Sequence, residues 1–280
     1  MSKTVEIKVG SLSNVLSYFG SMYPNSAEAM KEHVSNALDE HIKAMHDGTN
    51  VSVCKVVFTM RKDKIIIEYP YGMNEEEFLN ALQRVASSSK RELKFGQIGR
   101  LGVGMFSFFQ VGTKCTFYSR KQGTEDTVKV TIKEGDVRAE FEKPKKRECL
   151  DEPGIKLVIE NLRFNPTRLR GQLGVQRLQN SFSRKFDAYL RNGQLEIYLN
   201  YPGTNHQITS APLDLPRVDK GYETLYIDGD EDKKINLELY YDPSERGQVS
   251  IRHMGVVVID DISSKNLEND ILGLDQSIYS

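Results

Sequence analysis

Apolar and polar positions along this chain follow two periods. Residues 26–45 place Met30, Val34, Ala37 and Leu38 on one side of a helix. Asn25 or Ser26 supplies an N-cap oxygen, and Asp47-Gly48 ends the run. Residues 4–9 alternate in the way of a half-buried strand. Residues 51–60 and 64–69 are rich in β-branched side chains and flank the polar turn Arg61-Lys62-Asp63, which predicts a hairpin. Asn74 with Glu77 three positions on resembles a capping box and opens a helix carrying Phe78, Leu79, Leu82 and Val85, which Ser87-Ser88-Ser89-Lys90-Arg91 breaks.

Further along, residues 103–111 form an apolar helical run after a cluster of glycines. Strands are expected at 113–119, 127–132, 137–141, 155–159 and 195–199. A helix is expected over 169–190, kinked near Gly171 and Gly174. Residues 201–221 hold Pro202, Gly203, Pro212 and Pro216 and read as a linker between a first domain, 1–200, and a second, 222–280. The second is expected to carry short strands at 224–227, 235–241, 249–252 and 256–259, with a short helix starting near Ser264. Strands and helices follow one another without regular βαβ alternation. The expected class is therefore α+β, a mixed and mostly antiparallel sheet covered by helices, rather than a doubly wound sheet.

Composition narrows the function classes. The 280 residues hold 38 Lys and Arg against 39 Asp and Glu, so no overall field favours DNA or an anionic membrane. No stretch approaches the roughly 20 apolar residues that cross a bilayer. The start, Met1-Ser2-Lys3-Thr4-Val5, lacks the apolar core of a signal peptide. Cys54, Cys115 and Cys149 form neither a disulfide framework nor a zinc spacing, which fits a reducing cytoplasm. The basic group Lys143, Lys145, Lys146 and Arg147 reads as a solvated loop.

Two runs carry chemistry. In Glu32-His33-Val34-Ser35-Asn36-Ala37-Leu38-Asp39, a helix turning about 100° per residue sets Glu32, Asn36 and Asp39 within a stripe about 60° wide. A carboxamide oxygen is a hard ligand suited to Mg²⁺, and a carboxylate one turn away can act as general base. An ordinary solvated helix face carries the same residue types. In Gly99-Arg100-Leu101-Gly102-Val103-Gly104-Met105-Phe106-Ser107, glycines precede an apolar helix and allow the backbone amides to approach an anion. This is neither a P-loop nor a dinucleotide fingerprint, and a glycine turn before a buried helix has the same appearance.

In this order, the two runs resemble the GHKL ATPase superfamily of gyrase, heat-shock-protein-ninety chaperones, histidine kinases and MutL, and most of all its chaperone type. The likeness extends over roughly residues 20–200. It implies a Bergerat-type α/β sandwich and the start of a transducer-like domain from about residue 222. It implies a conformational ATPase in which ATP closes a lid near residues 87–95 and brings N-domains together as a homodimer. By that resemblance Glu32 is the general base and Asn36 the Mg²⁺ ligand. Nucleotide contacts fall to Asn36, Asp39, Glu68, Gly72, Met73, Gly99, Gly102, Val103, Gly104, Met105 and Phe106. Arg91 and Lys94 lie in the lid region, and Arg246 and Arg252 are the basic candidates in the second domain. The cofactors implied are ATP and Mg²⁺.

Two departures concern the nucleotide base. In Glu68-Tyr69-Pro70-Tyr71-Gly72-Met73, Glu68 stands for the family's adenine-reading aspartate and Pro70 for its first glycine. In Gly154-Ile155, Ile155 replaces a threonine and brings no hydroxyl. The sequence thus predicts an intact phosphate half and an altered base half. Its alternatives are a nucleotide-binding or interaction scaffold without turnover, and a DNA-associated ATPase that the balanced charge disfavours. The chain also reads as a fragment of a longer protein, with clients and partners unspecified.

Overall fold

The computed structural model describes residues 23–47, 53–83, 104–136, 138–168 and 170–210, and the backbone of 221–227, 230–239, 251–253 and 256–259. The chain divides into two units, residues 1–210 and 211–280.

In the first unit, α1 (Ser26–His46) begins where the sequence places its cap. The Asn25 side-chain oxygen accepts from the Glu28 amide at 3.0 Å. A β-hairpin follows, β1 (Cys54–Met60) and β2 (Lys64–Tyr69), with Met60 opposite Ile65 and the turn closed by Arg61 N–H donating to the Lys64 carbonyl. The Asn74–Glu77 box opens α2 (Glu75–Gln83), each side chain accepting from the other's amide, at 2.9 and 3.0 Å. After a 3₁₀ helix (Gly104–Gln110) come β3 (Gly112–Arg120), β4 (Val128–Lys133), β5 (Glu140–Glu142) and β6 (Gly154–Leu162). Helices α3 (Val175–Lys185) and α4 (Asp187–Arg191) lead to β7 (Leu195–Tyr201) and β8 (Thr204–Gln207). The eight strands form one sheet in the order β5-β4-β3-β6-β2-β1-β7-β8. All pairs are antiparallel except β1 with β7.

Period-two alternation gives this sheet one apolar face. Cys54, Val56, Phe58 and Met60 of β1, Ile65 and Ile67 of β2, and Ile155, Leu157 and Ile159 of β6 are buried. Helix α1 presents Met30, Val34, Ala37 and Leu38 as buried core residues. Phenylalanines join helices to sheet: Phe182 of α3 lies 5.5 Å from Phe58, and Phe78 of α2 lies 5.4 Å from Phe117 of β3, centroid to centroid. Each such buried side chain contributes roughly 1.5–3 kcal/mol relative to exposure. The opposite face is laced with ion pairs, Lys114–Glu160 at 2.7 Å, Lys129–Glu142 at 2.9 Å and Lys133–Glu140 at 2.8 Å. This is the mixed, mostly antiparallel α+β sheet with helices that the sequence predicts.

Three elements differ from expectation. Gly174 precedes α3 as its N-cap residue instead of kinking a longer helix, and the run breaks again at Phe186. The strand expected at 137–141 is instead the short edge strand β5, Glu140–Glu142. Pro202-Gly203 turns the chain back into β8, with Gly203 at φ +81°, a conformation open to glycine at little cost. In the second unit, β9 (Gly221–Ile227) pairs antiparallel with β10 (Asp230–Leu239), and β11 (Ile251–His253) with β12 (Val256–Ile259).

Candidate functional site

Helix α1 is packed on most of its circumference, and Glu32 and Asn36 are half-buried on it. The 3₁₀ helix that follows the glycine loop lies against it. A Cβ built on Gly104 would stand 2.9 Å from Glu32 Oε2, 3.5 Å from Asn36 Nδ2 and 3.7 Å from Asn36 Oδ1. The two runs singled out in the sequence therefore meet side chain to backbone, and the carboxylate and carboxamide crowd Gly104, which has no side chain. Asp39 is buried on the same stripe, at 1% exposure, and its charge raises the pKa of Tyr189 on α4 beyond the effect of burial.

Two further groups surround Glu32. The Tyr23 phenol is pushed up by burial, with the Glu32 carboxylate adding to the effect. Lys185, in the last turn of α3, has its pKa lowered by burial, while Glu32 acts in the opposite sense. Lys31 is already paired with Glu28 at 2.6 Å. One turn-neighbour of Glu32 reaches the other motif directly: His33 Nε2 lies 3.2 Å from Ser107 Oγ, both fully buried. Burial pushes the His33 pKa down to about 4 and holds the imidazole neutral.

The strand end expected to read a base is arranged differently. Alternation along β2 turns Ile65, Ile67 and Tyr69 toward the helices and Glu68 away from them. Glu68 faces Lys156 across the β2–β6 register, and their charged groups lie 3.9 Å apart. This pairing, and not a contact with Glu32 or Asn36, is where the structure places the residue that the resemblance set against the base. On the inner face Tyr69 stands opposite Ile155 in that position. Tyr71 adopts φ +73°, rare for a side-chain-bearing residue, and its hydroxyl lies 2.7 Å from Nδ1 of buried His41. Gly72 is required by contact: a Cβ there would overlap the carbonyl oxygens of Arg120 and Gly154. Met73 is clamped by Ser119, whose hydroxyl accepts from its amide at 2.6 Å and donates to its carbonyl at 2.8 Å.

Met105 is half-buried beside Gly104, whereas the Phe106 ring is core, stacked on Phe109 at 6.3 Å. Gly99, Gly102, Val103, Arg91, Lys94 and Arg246 lie outside the described residues, as do the side chain of Arg252 and the expected strand at 4–9. The sequence motifs assign no role to His33, Ser107 or Lys185. A histidine at a buried position directly after Glu32 is the one local signal that pointed to it. Lys185 has no sequence signal, because only the packing of α3 on α1 brings it near. Among the described residues no group of three or more His, Cys, Asp or Glu side chains gathers as a metal cluster. Asn36 offers a single carboxamide oxygen, a donor of the kind that suits Mg²⁺, which takes most of its ligands from water and phosphate.

Residues 24–152 match the family described as histidine kinase-, DNA gyrase B- and HSP90-like ATPases. Over this stretch the chain is similar to that family. The segment it covers runs from before α1 to the threshold of β6, so it contains both Glu32 and Gly104. Among curated proteins, the chain is 28% identical to the chaperone protein HtpG of Roseobacter denitrificans over 142 residues, 44% of this chain and 22% of that protein. It is 27% identical to the chaperone protein HtpG of Wolbachia pipientis over 144 residues, again 44% and 22%. The match thus spans about a fifth of the length of these relatives. No described helix is long and apolar enough to cross a membrane.

Proposed function

We propose that the first unit binds Mg²⁺-ATP between α1 and the glycine loop, and that Glu32 is the general base for its hydrolysis. The observation that carries this reading is the approach of Gly104 to Glu32 and Asn36. The bare backbone of Gly104 lets the end of the glycine loop approach a carboxylate and a carboxamide closely, and amides at the start of a helix favour an anion. Asn36 would hold Mg²⁺, which when bound offsets charge on the phosphate oxygens. Glu32 takes a proton from water as the water oxygen attacks the γ-phosphorus. The bond between that phosphorus and the β–γ bridging oxygen breaks, and ADP leaves with the electron pair. Gly99, Gly102, Val103, Gly104 and Met105 form the cradle in this proposal. Gly72 and Met73 form its far wall, fixed by contacts that admit no side chain at 72.

By likeness to proteins named as chaperones, the whole protein acts as a cytoplasmic conformational ATPase, closing a lid over ATP and pairing its N-domains. With Glu68 on the outer face and Ile155 on the inner, base recognition is relaxed, because no carboxylate comes from β2 to accept the adenine amino hydrogen. The same two residues favour a second reading, a domain that binds nucleotide without turning it over.

Steady-state hydrolysis with Glu32→Ala separates the two. Turnover lost at least a hundredfold, with Mg²⁺-ATP binding kept within a few-fold, is the expected result. Hydrolysis at the parent rate would remove Glu32 from the base role, and a parent with no turnover would leave the second reading.

A further inference from the structure

The 3₁₀ helix behind the glycine loop is tied to α1 by a side-chain hydrogen bond in the interior. His33 Nε2 and Ser107 Oγ lie 3.2 Å apart, with His33 at 1% and Ser107 at 0% exposure. Burial leaves no solvent to replace either partner, so loss of one strands the other. His33 immediately follows Glu32, and Ser107 stands three residues after Gly104. The bond therefore joins the two motifs one step behind the place where Glu32, Asn36 and Gly104 meet. His33 sits about 100° around the helix from Glu32, off the stripe that faces the cleft. It holds the site without entering it.

Apolar packing alone does not determine this junction. Phe106, Phe108 and Phe109 are buried around Ser107 and anchor the 3₁₀ helix in the core. Dispersion and burial are non-directional, and an aromatic cluster tolerates small slides and rotations. A 3₁₀ helix is itself poorly held by its own i→i+3 bonds. A hydrogen bond requires both distance and angle, so it selects one rotation of the 3₁₀ helix against α1.

We propose that His33 and Ser107 are a positioning pair that fixes the glycine-loop end of the 3₁₀ helix against Glu32 and Asn36, and so sets the spacing at which a triphosphate is held. This deepens the ATP reading above and rests on it.

The test uses the full chain with Ser107→Ala, His33→Leu, the double variant and the conservative His33→Gln. In nucleotide-free protein, amide exchange over residues 104–109 is expected to quicken at least tenfold in each single variant. It should quicken no further in the double variant and return toward the parent in His33→Gln. Calorimetric titration with Mg²⁺-ATP should show affinity about tenfold weaker in each single variant, with losses that do not add. Unchanged exchange in Ser107→Ala overturns the proposal. Faster exchange with ATP affinity within twofold of the parent also overturns it, since the bond would then serve the fold alone. If the parent binds no nucleotide, the ATP reading fails separately, and the exchange data alone decide whether the pair fixes the helix. Should His33→Leu fail to fold, Ser107→Ala and His33→Gln carry the same comparison.

Discussion

His33 is buried beside the residues on which the proposed chemistry rests, and its imidazole is held at a pKa of about 4 against 6.5 when free. The folded state therefore resists a proton that the unfolded chain accepts. Stability from this group is complete above about pH 6.5 and is lost as pH falls from there toward about 4, by up to roughly 3 kcal/mol. Melting temperatures between pH 8 and pH 5 should fall more steeply for the parent than for His33→Gln; parallel curves would show that His33 is not the group responsible. At the same scale, two glycines separate function from folding. Gly104→Ala sets a methyl against the end of a flexible carboxylate, 2.9 Å from Glu32 Oε2, so the protein should fold while ATP affinity or turnover drops about tenfold. Gly72→Ala sets a methyl into the backbone carbonyls of Arg120 and Gly154, which cannot swing aside. It should destabilise the fold by about 3 kcal/mol or more, read by urea unfolding, with a near-neutral result counting against the packing described at the β2–α2 turn.

At the scale of elements, the parts written in local chemistry were legible in the sequence. The Asn25 cap, the Asn74–Glu77 box and the Arg61–Asp63 turn each depend on neighbours a few residues apart, and each forms at the predicted place. The stripe of Glu32 and Asn36 is likewise a property of one helix. What was not legible depends on pairing. The fate of Glu68 follows from strand parity: one residue of register decides whether a β2 side chain meets α1 or Lys156, and a motif match fixes order along the chain but not the face. Lys185 reaches the neighbourhood of Glu32 only through helix packing. Gly171 and Gly174 read as kinks because a helical pattern spans them, yet Gly174 sits at a boundary where α3 starts.

For the molecule as a whole, the proposed cleft would join a phosphate half drawn from two sequence motifs to a base half without an inward carboxylate on β2. Competitive titrations with ATP and GTP should therefore differ by less than about tenfold, because discrimination by a buried polar partner is what would generate a larger ratio. A preference for ATP of a thousandfold would show that another group reads the base. The chaperone-like cycle proposed above depends on this half-site working first, since the lid closure and N-domain pairing it includes would need a bound triphosphate to drive them. The most direct measurement is calorimetric titration of the chain with ATP, with and without Mg²⁺, beside Asn36→Ala. The expected result is binding that requires Mg²⁺ in the parent and weakens at least tenfold in Asn36→Ala. Absence of ATP binding, or binding indifferent both to Mg²⁺ and to Asn36→Ala, would contradict the assignment of this cleft.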